Sequence, residues 1–273
     1  MKIWAHRGCS QCYPENTITS FEKAMAVPGL AGIELDIQLT SDGELVVIHD
    51  ERVDRTTDGI GFVRDMSLKE IRNLRIDHGS ALAEKIPTMR EVLELLRPAL
   101  LAYCARNERS ELGEGQSNEH VGMENGFRLN IELKTGVYSY PGIEARIVEL
   151  VREFGVEGAI VYSSFCAESL NRIHRLAPKN EIGVLDGRVS DCLYKAMGLE
   201  RFFGMEEAVL ALHPGGGGMD LSPERFAGRS IRAWFGGHLY PEKPGEKSMD
   251  LAKYEAMGVT DVFLNEPERY LGR

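Results

Sequence analysis

Short apolar segments alternate with longer segments of helical periodicity from one end of the chain to the other. The apolar segments predict barrel strands at residues 2–5, 32–39, 129–134, 159–162, 182–185, 209–212, 231–234 and 262–264. The helical segments are 17–26, 68–74, 89–103, 143–154, 167–176 and 249–257, with weaker patterns near 191–196 and 222–226. A strand and a helix repeated along a whole chain indicate a parallel sheet. Eight such units in 273 residues predict an α/β fold of the (β/α)8 TIM-barrel type.

A further apolar segment, residues 44–48, follows the second predicted strand too closely to be its parallel neighbour. We therefore expect an antiparallel β-hairpin that turns at Asp42-Gly43 and extends the barrel after strand 2. This hairpin returns His49 to the level of Asp36.

A polar segment without periodicity, residues 106–127, precedes the third predicted barrel strand. Because it joins a helix to a strand, we expect a mobile insertion at the end of the barrel opposite the active site. The pattern otherwise predicts a single domain over residues 1–273. Four glycines at 215–218 lack the Lys-Ser/Thr of a phosphate-binding P-loop, so we expect a flexible loop there.

The charge balance excludes several classes of partner. Lys and Arg number 32 and Asp and Glu number 42, which gives a net charge of −10 and argues against nucleic acid or anionic membranes as general partners. We expect no membrane span and no signal peptide, and hence a cytoplasmic location. The oligomeric state stays open. The five cysteines are scattered, and the Cys9-x-x-Cys12 pair has no second pair beside it, so we expect ordinary loop residues.

Polar residues alternate with apolar ones along the second and third barrel strands. Because helices cover the outside of a barrel, the polar side chains must point inward. On the second strand these are Glu34, Asp36 and Gln38, and on the third strand they are Asn130, Glu132 and Lys134.

Three of these inward side chains are carboxylates that would repel one another without a cation. Glu34, Asp36 and Glu132 form an all-oxygen ligand set, which suits one divalent cation, Mg²⁺ or Ca²⁺, better than zinc. The alternative is a buried ion-pair network with Lys134 and Arg7.

Two histidines close neighbouring strands at the rim where barrel enzymes carry out their chemistry. His6 ends the first strand and His49 ends the hairpin, and such a pair suits general acid–base catalysis. Arg7 and Lys134 add positive charge that suits phosphate.

The motifs of the chain, taken in order, resemble those of the glycerophosphodiester phosphodiesterase family. They are His6-Arg7-Gly8, Pro14-Glu15-Asn16-Thr17 with Phe21, Glu34-x-Asp36, Thr40-x-Asp42-Gly43, His49-Asp50, Arg55-Thr56-Thr57, Gly61, Glu132-Leu133-Lys134, Gly258-Val259-Thr260-Asp261 and Asn265-x-Pro267. The similarity spans nearly the whole chain and is most specific in its first third.

This resemblance implies a barrel hydrolase that cleaves glycerophosphodiesters to sn-glycerol 3-phosphate and an alcohol. It implies that the substrate's own glycerol hydroxyl attacks and that water then opens the cyclic phosphate. The metal ligands would be Glu34, Asp36 and Glu132, the acid–base pair His6 and His49, and the phosphate-binding residues Arg7 and Lys134. We expect Asn16 to be the N-cap of the first helix.

The chain departs from the family pattern on the seventh barrel strand, where the family has Trp-Thr-Val-Asn. Here the sequence is Ala-Trp-Phe-Gly-Gly at 233–237, so Trp234 remains for packing against glycerol while the polar Thr and Asn are absent. Phe165 matches a Ser-Phe pair of the family, which predicts a place in the substrate pocket, with core packing as the alternative.

Other functions stay open on the sequence. One is a phosphodiesterase of broader specificity, and another is a lysophospholipase D-like, sphingomyelinase D-like or phosphatidylinositol phospholipase-like barrel. A catalytically silent barrel that binds glycerophosphoryl ligands is disfavoured because all seven polar site positions are present. The fold alone would also allow a metal-dependent sugar isomerase or aldolase, which the two histidines disfavour.

Overall fold

The computed structural model describes residues 1–76, 84–111, 126–226, 228–236 and 249–271. Its strands are β1 (Lys2–His6), β2 (Gly32–Leu39), β3 (Leu45–Val47), β4 (Arg128–Leu133), β5 (Ile160–Ser164), β6 (Glu181–Asp186), β7 (Leu210–Pro214), β8 (Arg232–Trp234) and β9 (Asp261–Leu264). Its α-helices are α1 (Ile18–Met25), α2 (Leu68–Ile71), α3 (Met89–Glu111), α4 (Ile143–Phe154), α5 (Ala167–Leu176), α6 (Val189–Phe203), α7 (Leu251–Ala256) and α8 (Glu268–Leu271).

Eight of these strands form a parallel barrel, as the sequence predicts. The hydrogen-bonded order is β7-β6-β5-β4-β2-β1-β9-β8. Strands β7 and β8 are joined by isolated parallel bridges, Leu212 with Ile231 and Gly215 with Trp234, so the barrel is nearly closed. The prediction of a (β/α)8 barrel is confirmed.

The predicted hairpin is also confirmed, and it brings His49 to the pocket. Strand β3 pairs antiparallel with β2, with Ile37 opposite Val47. The Ile48 amide then donates to the Asp36 carbonyl at 3.0 Å. This hydrogen bond returns the chain to the level of Asp36, as expected.

The helix boundaries differ from the sequence prediction in the polar segment 106–127. Helix α3 continues to Glu111, so the first six residues of that segment are helical rather than inserted loop. Phe127, at the other end, is buried in the main apolar core and directly precedes β4. Residues 112–125 lie outside the described residues, and an insertion there stays a prediction. The helix predicted near 191–196 is longer than expected and covers Val189–Phe203.

The outer faces of the strands supply the main apolar core. The outward residues Ile33, Leu35 and Ile37 of β2 are fully buried beneath the helices. Helix α4 buries Ile147 and Val151 on the face that it turns to the barrel. No helix in the described part of the chain combines the length and the apolar character needed to cross a bilayer.

Ion pairs fill the barrel at the end where its strands begin. Arg232 pairs with Glu181, whose other oxygen accepts from Arg128 at 2.7 Å. Arg232 also lies 3.4 Å from Asp261, which accepts from the Trp4 indole at 2.9 Å. Burial alone would raise the pKa of Glu181, but the two arginines lower it to about 2. These paired side chains fill the barrel interior at this end, whereas the predicted site residues lie at the opposite end, where the strands finish.

The glycine segment after β7 packs closely, contrary to the flexible loop that the sequence suggested. A Cβ at Gly216 would lie 1.8 Å from the Phe235 ring, and one at Gly218 would lie 1.9 Å from the Gly187 carbonyl oxygen. These positions need glycine because neighbouring groups approach the backbone.

Candidate active site

A pocket of about 450 Å³, open mouth included, lies at the end of the barrel where the strands finish. Seven of the nine predicted site residues line it, and Asp36 and Lys134 lie directly behind them. The full lining is His6, Arg7, Glu34, His49, Asn130, Glu132, Ser163, Phe165, Leu185, His213, Trp234 and Phe263.

The three predicted metal ligands meet at one side of this pocket. Strand register places Asp36 beside Glu132, and Glu34 lies two residues earlier on the same face of β2. One oxygen from each of these residues lies within 4.8 Å of the others, and all three residues are buried. Among the residues that the structure describes, this is the one group of three or more His, Cys, Asp or Glu residues whose ligand atoms lie this close together.

The charge state of the cluster fits a divalent cation. Burial, together with the charges of Asp36 and Glu132, raises the pKa of Glu34 well above its ordinary value. Burial would also raise the pKa of Asp36, but His49 and Arg7 outweigh that effect and lower it. No described residue donates a hydrogen bond to Oδ1 of Asp36, although this atom is buried. An unsatisfied carboxylate oxygen beside two other acids is what a hard cation requires.

Positive side chains accompany the carboxylates without balancing them. The Arg7 Nε lies 3.4 Å from Asp36, and the Lys134 Nζ lies 2.8 Å from Glu132 and 3.8 Å from Asp36. The ion-pair network considered from the sequence is therefore present. It places Arg7 and Lys134 beside three carboxylates, and the repulsion among these carboxylates helps to raise the pKa of Glu34.

His6 is held as a neutral imidazole. Its Nδ1 pairs with the Asn265 amide oxygen at 2.7 Å, and its Nε2 lies 3.8 Å from Glu34. Burial, with a further contribution from Arg7, lowers the pKa of His6 to about 3. With Nδ1 donating to Asn265, Nε2 carries the lone pair of the ring.

His49 is positioned from both sides. Its Nδ1 pairs with Asp50 Oδ1 at 2.6 Å. The Gln38 Nε2 shares its two N–H groups among the carbonyls of Ile48, His49 and Asp50, at 3.2, 3.1 and 2.6 Å. The Gln38 side-chain oxygen accepts from the Tyr140 hydroxyl at 2.7 Å. The sequence placed Gln38 inward but gave it no role, and these contacts show that it holds the end of the hairpin.

The expected role of Asn16 is wrong. Thr17 is the N-cap of α1, and its side chain accepts from the Ser20 amide. Asn16 instead has a positive φ of 57° and donates to Asp36 Oδ2 at 2.9 Å. Asn tolerates the left-handed conformation better than most residues, which explains its presence at this turn. Arg7 has the same φ, and its amide donates to Glu34 Oε2 at 3.0 Å.

A second layer of charged residues surrounds Arg7 and His49. Glu15 accepts from Arg7 at 2.9 Å and from Arg55 at 2.7 and 2.8 Å. Arg55 also donates to Asp50 at 2.6 and 3.1 Å. Burial would raise the pKa of Glu15, but its arginine partners lower it. These residues belong to motifs quoted for the family resemblance, but the sequence assigned them no part in the site.

Aromatic side chains line the opposite side of the pocket. The rings of Phe165 and Trp234 meet edge to face, with centroids 6.4 Å apart. Phe165 is 39% exposed, so the structure places it on the pocket rather than in the core. His213 was missed because the sixth predicted barrel strand stopped at residue 212, whereas the observed strand β7 continues to Pro214. It is fully buried, and no described residue hydrogen-bonds to either of its ring nitrogens.

The two cysteines next to the site do not form a metal centre with the described residues. Cys9 is buried and Cys12 is exposed, and both thiols are free. Cys12 lies 3.4 Å from Glu268, and burial raises the pKa of Cys12 to about 11. The absence of a metal or redox role for these two cysteines stays a prediction.

Comparison with known proteins identifies the family to which the chain belongs. The model of the glycerophosphoryl diester phosphodiesterase family matches residues 6–191, which include eight of the nine predicted site residues. The chain belongs to this family. It is 43% identical over 186 residues to a glycerophosphodiester phosphodiesterase of Caldanaerobacter subterraneus subsp. tengcongensis, covering 67% of this chain and 65% of that protein. Thus, the match spans slightly less than two thirds of that relative.

Longer matches cover almost the whole chain. A glycerophosphodiester phosphodiesterase of Bacillus subtilis is 31% identical over 277 residues, covering 97% of this chain and 84% of that protein. The crystal structure of a family member from Agrobacterium tumefaciens aligns over 100% of both chains, with a TM-score of 0.68 and 25% identity. A phosphodiesterase of Oleispira antarctica, solved with the product sn-glycerol-3-phosphate, has the same fold, with a TM-score of 0.68 and 23% identity over 98% of this chain and 94% of that one.

Proposed function

We propose that this protein hydrolyses glycerophosphodiesters to sn-glycerol 3-phosphate and an alcohol. The observation that carries the proposal is one pocket, in a member of this family, that brings together two histidines, a three-carboxylate cluster and an arginine. A phosphodiesterase of the same fold holds sn-glycerol-3-phosphate, which supports the proposed product.

In this proposal Glu34, Asp36 and Glu132 hold one divalent cation, Mg²⁺ or Ca²⁺. When bound, such a cation offsets negative charge on phosphoryl oxygens. Arg7 lies at the same side of the pocket and donates its remaining N–H groups to the phosphate. Lys134, behind the carboxylates, adds a fixed positive charge to the site.

The two imidazoles divide the proton transfers between them. His6 is neutral and has the lone pair of Nε2 available to accept a proton. His49 has its Nδ1 on Asp50, so its Nε2 is the nitrogen left for the pocket. In this mechanism one imidazole deprotonates the glycerol hydroxyl that attacks phosphorus, and the other protonates the departing alcohol. In the second half the roles reverse as water opens the cyclic phosphate.

Hydrolysis of glycerophosphocholine or glycerophosphoethanolamine, coupled to detection of glycerol 3-phosphate, tests the proposal. His6→Ala and His49→Ala should each lower kcat by about 10²–10⁴. His174→Ala is the matched control because His174 lies on helix α5 and does not line the pocket. EDTA should abolish the activity, and Mg²⁺ or Ca²⁺ should restore it. Full activity after exhaustive chelation would contradict the cation, and an unchanged kcat would remove that histidine from proton transfer.

A second candidate function is hydrolysis of a broader set of phosphodiesters, including lysophospholipids. It is favoured by the aromatic side of the pocket, where Phe165 is partly exposed and the Trp234 Nε1 has no hydrogen-bond partner among the described residues. A substrate panel that adds a lysophospholipid and bis(p-nitrophenyl) phosphate separates the candidates. A glycerol-specific enzyme should leave both unhydrolysed. The cytoplasmic location stays a prediction.

A further inference from the structure

Arg7 and His49 come from different segments of the chain, yet one side chain connects the groups that hold them. Arg7 follows strand β1, and His49 follows strand β3. Arg7 pairs with Glu15, and His49 pairs with Asp50. Arg55 lies between these two carboxylates and bonds to both.

The planar guanidinium of Arg55 makes two bidentate contacts. Its Nε and one terminal nitrogen donate to the two oxygens of Asp50 at 2.6 and 3.1 Å. Its two terminal nitrogens donate to the two oxygens of Glu15 at 2.7 and 2.8 Å. Two forked contacts on one rigid plane fix the distance and the relative orientation of the two carboxylates. A Lys ammonium is a point charge and has no such geometry.

In each of the two carboxylates, one oxygen accepts from Arg55 and also contacts a pocket residue, His49 or Arg7. Asp50 Oδ1 accepts from Arg55 and pairs with His49 Nδ1 at 2.6 Å. Glu15 Oε1 accepts from Arg55 and from Arg7 at 2.9 Å. A rotation of either carboxylate would therefore move an imidazole or a guanidinium that faces the substrate.

The exposure of Arg55 indicates that its contacts matter more for the geometry of the pocket than for folding stability. The Arg55 side chain is 40% exposed and that of Asp50 is 28% exposed, whereas Glu15 is 5% exposed. The pair with the partly exposed Asp50 contributes little to folding stability. The buried Glu15 keeps Arg7 as a partner at 2.9 Å when Arg55 is removed. Removal of Arg55 should thus disturb the geometry of the pocket more than the free energy of unfolding.

We propose that Arg55 is a positioning residue that sets the orientation of His49 through Asp50 and of Arg7 through Glu15, so that proton transfer and phosphate binding are aligned by one side chain. The inference rests on the proposed function, because it assumes that His49 and Arg7 act on a phosphodiester.

The kinetic test compares Arg55→Met with variants at its two partners. Glu15→Gln should mainly raise KM, because it loosens the phosphate-binding Arg7, and Asp50→Asn should mainly lower kcat, because it loosens His49. Arg55→Met should do both, with a loss in kcat/KM on the order of 10²-fold, the size expected for misplacement by about 1 Å. Arg55→Lys should recover only part of this loss. Combining Arg55→Met with either partner variant should cost less than the product of the single losses.

Arg52→Met is the matched control. Arg52 lies three positions away, and its guanidinium donates to Asp54 on the surface at 2.6 and 2.9 Å. It contacts neither Glu15 nor Asp50 in the hydrogen bonds that the structure records. We expect kcat and KM of this variant to stay within twofold of the wild type.

A measurement independent of activity is the NMR signal of the His49 Nδ1 proton, assigned by its loss in His49→Ala. The wild type and Arg52→Met should show a downfield, slowly exchanging signal, and Arg55→Met should shift or broaden it. A folded Arg55→Met or Arg55→Lys protein with unchanged kcat, KM and signal would overturn the inference. If the wild type hydrolyses no phosphodiester, the proposed function fails, and an unchanged signal in the Arg55 variants would then overturn the positioning role as well. A shifted signal in that case would support the link from Arg55 to His49.

Discussion

Replacing Glu34 by Gln is expected to change stability in opposite directions in the metal-free and the cation-loaded protein. Oxygens of Glu34, Asp36 and Glu132 lie within 4.8 Å of one another. At this separation, and with an effective dielectric constant of about 20, two unit negative charges repel by about 3.5 kcal/mol. Gln removes one charge and keeps an oxygen that can accept the Arg7 amide, which bonds to Glu34 at 3.0 Å.

The net gain is smaller than the pairwise repulsion because Arg7 and Lys134 offset part of it. We expect the metal-free Glu34→Gln protein to be more stable than the wild type by about 2 kcal/mol. For a chain of this size that corresponds to a rise in Tm of about 4–8 °C. A cation at 100 times its Kd should stabilise the wild type by about 2.7 kcal/mol, and Glu34→Gln should lose most of this increment.

Differential scanning fluorimetry in EDTA and in a titration of Mg²⁺ or Ca²⁺ measures both effects. In EDTA, the difference in Tm between Glu34→Gln and the wild type should be larger at about pH 8.5 than at about pH 6. The reason is that the pKa of Glu34 is raised, so protonation removes its charge as the pH falls. Glu153→Gln, which changes an exposed residue paired with Arg90, is the control and should leave the cation response intact. A metal-free Glu34→Gln protein that melts at or below the wild-type Tm would refute the repulsion. An unchanged cation response would remove Glu34 from the ligand set.

Three further outcomes test other parts of the structure. Glu181→Gln removes the buried carboxylate that Arg232 and Arg128 share and leaves Arg232 with Asp261 at 3.4 Å, so it should cost about 3–5 kcal/mol at pH 7. Because the pKa of Glu181 is lowered to about 2, the contribution of its charge is present above its ordinary value of 4.5 and is lost as the pH falls towards 2. Urea unfolding should therefore show the gap between wild type and variant narrowing over this range, and a constant gap would contradict the ion pair. Gln38→Met removes the amide group that contacts three carbonyls at the end of the hairpin carrying His49, so kcat should fall by about 10-fold or more with a smaller change in KM. Unchanged kinetics would show that the hairpin is held by other contacts. Gly216→Ala places a Cβ 1.8 Å from an aromatic ring and should lower Tm, whereas an unchanged Tm would show that the ring moves freely.

The alternation of polar and apolar residues predicts which side chains point into the barrel, but it does not predict what those side chains contact. The inward direction of Glu34, Asp36 and Glu132 could be predicted because a strand alternates its faces and helices must cover the apolar one. The same rule placed Gln38 inward but could not show that its amide turns to the backbone of residues 48–50. That choice depends on the path of the hairpin, which brings those carbonyls within reach.

Turns at the rim were harder to predict because their conformations depend on distant partners. Asn16 and Thr17 are both favourable N-cap residues, so the sequence alone does not show which of them caps helix α1. The structure selects Thr17 because Asn16 reaches Asp36 across the site. In the same way, the hydrogen bond between His6 and Asn265 joins residues 259 positions apart, and no local pattern carries that information.

The sequence by itself determined the barrel, the hairpin after β2, the family resemblance and the residues that could hold a cation and move protons. These depend on local periodicity and on the order of motifs, both of which are written along the chain. Only the tertiary structure decided how the charged groups are arranged: Arg7 and Lys134 beside three carboxylates, Arg55 between Glu15 and Asp50, and ion pairs at the end of the barrel where the strands begin. The physical reason is that electrostatic energy depends on separations of a few ångströms between side chains that lie far apart in sequence.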